Sequence, residues 1–213
     1  RRGWSMTIAT MKILLLLACV GHLALWRCDW IITYLDGGRF GFKDLQDNER
    51  LSSIMGNTDP RKPMVSMVLG VFALTAAFPG YLAVGIWMKQ FSPVLSVMMS
   101  ISCILSVLPG IAHHVFCGAV EWFYIRLGKT EQARQAIVEF FKKTSCTMVF
   151  CYSFLLVFAV SLFVAVVAGM TTLPRWACVF NVLPLFIVLF PLRIVGTGNI
   201  ANALMFLGLA VLI

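Results

Sequence analysis

The sequence predicts an all-α fold: a polytopic transmembrane helix bundle of about six spans with one interfacial amphipathic helix. Three observations predict it. Of 213 residues, 60% are hydrophobic and 12% charged, with a mean hydropathy of +0.90, whereas a soluble domain is about 45–50% apolar and about 25% charged. Nine acids and seventeen bases do not cover the water-facing surface of a domain this long. The apolar residues also fall in runs near the length of about 20 residues that one bilayer crossing takes, and the charges gather between the runs. Hydrocarbon is the solvent these features imply, and we treat 1–213 as a single transmembrane domain.

Span one covers about 8–35 and is most apolar over 13–25. The chain opens on Arg1-Arg2 and not on Met, so a processed or trimmed N-terminus is expected. Residues 1–20 resemble a signal peptide, but the apolar run continues to Leu35 without an A-x-A-like cleavage site, as a signal-anchor or first span does. The polar loop 36–62 follows. In it Asp44 is placed to cap a short helix that ends near Gly56-Asn57, with Leu51, Ile54 and Met55 on one face.

Span two covers about 64–88, with Pro63 preset for the first helical position. After the short connection 89–92, span three covers 93–127 with Ser92 as its N-cap. Gly128-Lys129 breaks it. Residues 130–143 form the amphipathic helix, with Ala133, Ala136, Ile137, Phe140 and Phe141 at i, i+3, i+4, i+7 and i+8. That stripe suits a membrane interface or packing on other loops. Span four covers 144–170, a turn 171–174, span five 176–192 and span six 194–213, with Arg193 and Gly196-Thr197-Gly198 at a tight join. Spans five and six are alternatively one interrupted element. Pro63 and Pro79-Gly80 recur thirty residues later as Pro93 and Pro109-Gly110, which is the pattern of ordinary kinks or of an inverted repeat.

Alternating six spans leaves five basic residues on one side, here side A, and eleven on the other, side B. Positive charge marks the cytoplasmic side, so side B is expected there, in the plasma or inner cell membrane, with both termini outside. Trp4, Trp87 and Trp176 fall at side A, and Trp26, Trp30 and Trp122 near side B, as aromatic belts require.

The net charge of +8 does not indicate nucleic acid, because the bases flank spans and form no patch interleaved with aromatics. The seven cysteines include no CxxC pair and suit apolar packing. No P-loop, HExxH, GxSxG or dinucleotide fingerprint is present, and no cofactor is implied.

What remains is polar residues at membrane depth, where a charge costs about 2.5–3.5 kcal/mol on insertion scales and so has a partner or a role. His113 and His114 lie beside Glu121. His114, Cys117 and Glu121 share a helical face, as do His22 and Asp29 in span one. At 1.5 Å per residue, His113 lies roughly 30 Å along span three, near side B. Asp29, Arg27, Arg193, Thr197 and Asn199 approach the same side.

Three readings follow. The group lines a ligand pocket or active site, with His113 or His114 as general base and Glu121 or Asp29 as its partner, and Arg27, Arg193, Asn199 and Asn181 as ligand contacts. Alternatively, the imidazoles and carboxylates hold a metal, although the spacing fits no strong signature. In the third reading, Arg27 pairs with Asp29 or Glu121 at headgroup level and the group is only structural. Asn181, three residues before Pro184, is placed to bond a freed carbonyl or another helix.

Leu173-Pro-Arg-Trp, Asn181-Val-Leu-Pro184, the stretch 191–202, Gly70 with Phe78-Pro79-Gly80, and the region of His114 together resemble an uncharacterised family of bacterial multi-pass membrane proteins, a domain of unknown function. The resemblance covers most of the chain. It implies a helical membrane bundle and no known activity. The function expected first is binding or modifying a lipid-like or small amphipathic molecule in a polar pocket near side B, with membrane lipids as partners. A proton-coupled carrier and an accessory subunit of a larger complex are the alternatives.

Overall fold

In the computed structural model, which describes residues 6–213, Thr7 opens the first helix by accepting the Thr10 N–H at 3.1 Å. Helix α1 runs Ile8–Thr33. Arg1, Arg2 and Trp4, used above for sidedness, lie outside the described residues. A two-residue hairpin follows, with Tyr34 opposite Arg39 and Leu35 opposite Gly38. After a 3-10 turn at Phe42–Gln46, α2 runs Asn48–Met55.

The cap of α2 is Asp47, which accepts the N–H groups of Glu49 and Arg50, and not Asp44. Asp44 is occupied elsewhere: it accepts the Gly41 N–H at 2.8 Å and pairs with Arg50. Leu51, Ile54 and Met55 do share the buried face. Helix α3 runs Arg61–Met88 from Pro60 as N-cap, so Pro63 stands third in the helix, still within the first turn, where no N–H is needed. Helix α4 runs Pro93–Arg126, with Ser92 Oγ accepting the Leu95 N–H. Both α3 and α4 continue through their internal prolines, Pro79 and Pro109.

Helix α5 runs Glu131–Thr144 and α6 Cys146–Val167, with Ser145 between them. Ala133 and Ile137 of the α5 stripe pack against Leu35, Leu45, Leu51, Met55, Val120 and Tyr124. Ala133, Ile137 and Phe141 of the stripe therefore meet protein, while Ala136 and Phe140 are exposed. Hydrogen bonds close this cap: Tyr124 donates to Asn48 Oδ1 at 2.8 Å, Arg134 to the Leu45 carbonyl at 2.8 Å, and the Lys129 ammonium to the Gly56 carbonyl.

The C-terminal quarter departs most from the sequence reading. Where one span is expected over 176–192, the chain forms a 3-10 turn at Arg175–Phe180, then α7 at Val182–Leu189, then another 3-10 turn at Phe190–Leu192. Helix α8, Thr197–Leu212, has 16 residues. It spans about 24 Å, less than a hydrocarbon core of about 30 Å. Four helical segments are long and apolar enough to cross a membrane: Ile8–Thr33, Arg61–Met88, Pro93–Arg126 and Glu131–Val167.

Packing follows a ring. Helix α6 lies on α4, α4 on α3, α3 on α1 and α1 on α8, and the α7 segment lies between α8 and α6. Small residues allow close approach. A Cβ on Gly21 would stand 2.5 Å from the Ala73 carbonyl oxygen, and one on Gly80 would run into Ala18. The outer faces are apolar. Val94, Val97, Ile101, Ile104 and Leu108 form an exposed stripe on α4, and Val149, Leu156, Val160 and Val164 another on α6. Continuous apolar surface on this scale is covered by lipid. The protein is a membrane-embedded all-α bundle.

Two outcomes are expected. Gly21→Ala separates α1 from α3 and costs about 1–3 kcal/mol of stability, read as a lower unfolding midpoint in detergent. Gly198→Ala, with nothing within 4 Å, leaves the midpoint in place. The second outcome concerns pH. Burial pushes the Asp44 carboxyl up, but the Arg50 guanidinium and the Gly41 N–H outweigh it and hold the group below its ordinary value. Stability from a depressed carboxylate is present above the ordinary aspartate value, about pH 4, and is lost as pH falls through the lowered one. Amide protection over Phe42–Gln46 and Asn48–Met55 is expected to fall over that acidic window while α3 keeps its own. Asp44→Asn abolishes that step.

Candidate functional site

Inside the ring, toward the end covered by the cap, lies a cavity of about 470 Å³. Helical spacing builds its walls. His22, Leu25 and Asp29 of α1 stand at i, i+3 and i+7, and Gly110, His114, Cys117 and Glu121 of α4 follow the same repeat. Five candidates from the sequence, Asp29, His113, His114, Glu121 and Asn199 of α8, therefore line one space.

A chain of hydrogen bonds joins α1, α3 and α8. Tyr81 donates its hydroxyl to Asn202 Oδ1 at 2.8 Å, and its oxygen meets His22 Nε2 at 2.8 Å. His22 Nδ1 meets Asn199 Oδ1 at 3.0 Å, and Asn199 Nδ2 donates to Asp29 Oδ2 at 2.7 Å. With the Tyr81 proton given to Asn202, His22 Nε2 is a donor. If Asn199 is placed as described, Nδ1 donates too, and the imidazolium stands against an Asp29 carboxylate. If the Asn199 amide is turned over, its NH₂ donates to a neutral ring, and Asp29 then has to carry the proton toward Asn199 Oδ1.

Asp29 also lies against the first turn of α8. A Cβ on Gly196 would stand 2.9 Å from Asp29 Oδ2, and Gly196 has φ 67°, so glycine serves there both the left-handed turn and the close approach. Asp29 Oδ1 stands 3.8 Å from His114 Nδ1. The other nitrogen, His114 Nε2, donates to the Ser66 carbonyl at 3.1 Å. Ser66 in turn donates its hydroxyl to the Cys28 carbonyl at 3.1 Å. His113 meets Cys117 Sγ and Thr147 Oγ1, each at 3.4 Å.

The floor of the cavity is closed. Phe158 and Phe206 pack edge-on against Tyr81, and Phe206 stacks on His22. Beyond them Val84, Met88 and Met99 are fully buried. The side wall differs. Tyr152 of α6, with Phe186 and Phe190 of the α7 segment, lines the cavity and is also exposed on the outside of the bundle. The seam between α6 and α7 is an aromatic gap whose rings reach the outer surface.

Glu121 is 0% exposed, and neither of its carboxyl oxygens has a hydrogen-bond partner. Among the described residues, no group of three His, Cys, Asp or Glu is placed to hold a metal ion.

Three sequence candidates fall outside the cavity. Arg27 pairs with neither Asp29 nor Glu121 in the structure; its guanidinium lies over the Trp30 ring at 4.3 Å, because that exposed face of α1 points away from the bundle. Arg193 is exposed, in a left-handed turn of φ 52°. Asn181 is satisfied locally: its Nδ2 donates to the Ala159 carbonyl at 2.9 Å and its Oδ1 caps α7 at Leu183. Tyr81, Ser66 and Asn202 belong to the site and were not expected. Asn202 was within reach of sequence reasoning, since it lies three residues from Asn199 on the same helical face.

The model of a family of unknown function (DUF6796) matches residues 6–213. The chain belongs to this family. No curated protein and no solved structure matches it.

Gly70 of α3 leaves the space that the His114 ring fills, and a Cβ there would overlap the ring. Gly70→Ala is expected to break the bond from His114 Nε2 to Ser66, seen as a changed ¹⁵N shift of the His114 imidazole, with the His22 ring unchanged.

Proposed function

We propose that this multi-pass membrane protein binds a small or lipid-like amphipathic molecule in the cavity. The polar end of the ligand meets Asp29, His113, His114 and Asn199, and its apolar part lies along the aromatic gap between α6 and α7. The observation that carries this reading is the pairing, in one cavity, of a polar interior with a wall open to lipid. A volume of about 470 Å³ falls in the range of ligand pockets, about 300–1,000 Å³. The closed floor behind Tyr81 favours binding over passage, since a carrier needs a polar route through both halves of the bundle. We place the cap, with its excess of basic residues, on the cytoplasmic side of the cell membrane. Any chemistry performed on the ligand would use the His113–His114 pair as base.

The test is mass spectrometry of small molecules retained by protein purified in a neutral detergent. Wild-type protein is expected to retain a defined amphipathic species. Losing one hydrogen-bonding group costs about 1 kcal/mol, or about fivefold, so His114→Ala and Asp29→Asn should retain correspondingly less. Identical molecules in identical amounts from all three proteins would refute the proposal.

A further inference from the structure

The charge of the cavity opposes that of the protein. The chain carries a net +8, yet no Lys or Arg is among the residues lining the cavity, whereas two carboxylic acids, Asp29 and Glu121, are. Asp29 is accounted for: it accepts from Asn199 and lies against the first turn of α8. Glu121 is not. It is fully buried, both oxygens are unbonded, and Arg27, Arg126 and Arg193 do not pair with it; the first two lie over the tryptophan rings of Trp30 and Trp122. A buried carboxyl without donors costs the desolvation of the group, about 1–3 kcal/mol and more when charged, and such groups persist where a ligand or ion completes them. The aromatic rings at the opening, Tyr152, Phe186 and Phe190, add faces that attract a cation.

We infer that the ligand class is an amphipathic amine, whose ammonium group donates to Glu121 and whose hydrocarbon tail occupies the aromatic gap. An ammonium supplies three donors and one positive charge, the two things Glu121 lacks. A phosphate or carboxylate head would meet two acids and no Lys or Arg. This inference rests on the cavity being a ligand site.

The experiment compares octylammonium, octanoate and octanol on the protein in a neutral detergent, by the rise in unfolding midpoint and by tryptophan fluorescence. The three share a tail and differ in head-group charge. Octylammonium is expected to bind at least about tenfold tighter than octanoate, which is the size of one charge-assisted hydrogen bond. Glu121→Gln, nearly isosteric, should erase that preference while still binding octanol, which shows that the cavity is intact. Equal affinity for all three heads, tighter octanoate, or an unchanged preference in Glu121→Gln would each overturn the amine and leave the cavity as a ligand site. If none of the three binds the wild-type protein, the ligand-site reading falls as well.

Discussion

A polar side chain surrounded by hydrocarbon has no solvent partner to fall back on, so the polar groups inside this bundle bond one another, with Glu121 an exception. The interior is organised around that requirement. His22 and Asp29 point from α1 into the ring because α8 brings Asn199 and the open end of a helix to meet them, and because α3 brings Tyr81. The arrangement also needs close helix spacing. Gly21 lets α1 approach the α3 backbone, Gly196 lets the α8 turn approach Asp29, and Gly70 leaves room for the His114 ring. The small residues and the polar ones are one design: the first set the distances that the second need for hydrogen bonds.

The sequence shows its long helices clearly because their outer faces meet lipid, and a lipid-facing helix leaves a continuous apolar run. Ser92-Pro93 and Gly128-Lys129 mark the ends of α4 by local backbone chemistry that depends on no distant contact. The cap was less legible. Asp44 and Asp47 are equally good N-caps by residue type, and only tertiary contacts, the Arg50 guanidinium and the Gly41 N–H, assign Asp44 elsewhere. Within the site, the acids and imidazoles stood out because charges are scarce. Tyr81, Ser66 and Asn202 did not, because neutral polar residues at membrane depth are common and their partners come from other helices. Arg27 misled for the complementary reason. Standing two residues before Asp29 places it about 160° away around the helix, on the outer face.

The C-terminal segment shows where hydropathy alone is insufficient. Residues 176–192 are apolar enough for a span, but apolarity does not make a helix continuous. Asn181 accepts the Leu183 N–H and donates to the Ala159 carbonyl of α6, so the chain restarts there with a capped new helix and the preceding turn stays 3-10. Pro191 and the left-handed Arg193 end that helix within three turns. A broken backbone at membrane depth persists only where it is buried in protein or borders a cavity; the break at Asn181 is buried, and Phe186 and Phe190 border the cavity.

That break shapes the cavity wall. A straight α7 packed along the whole of α6 would present a full ridge of side chains to it and seal the ring. A short α7, held to α6 mainly at its Asn181 end, leaves Tyr152, Phe186 and Phe190 apart on the far side, where they face both the interior and the lipid. Meanwhile the floor is sealed by Tyr81, Phe158 and Phe206, and the cap lays Phe40 and Phe42 at the other end. In the proposed reading, this aromatic gap is the way by which a molecule dissolved in the bilayer reaches Asp29, His114 and Glu121 without first entering water.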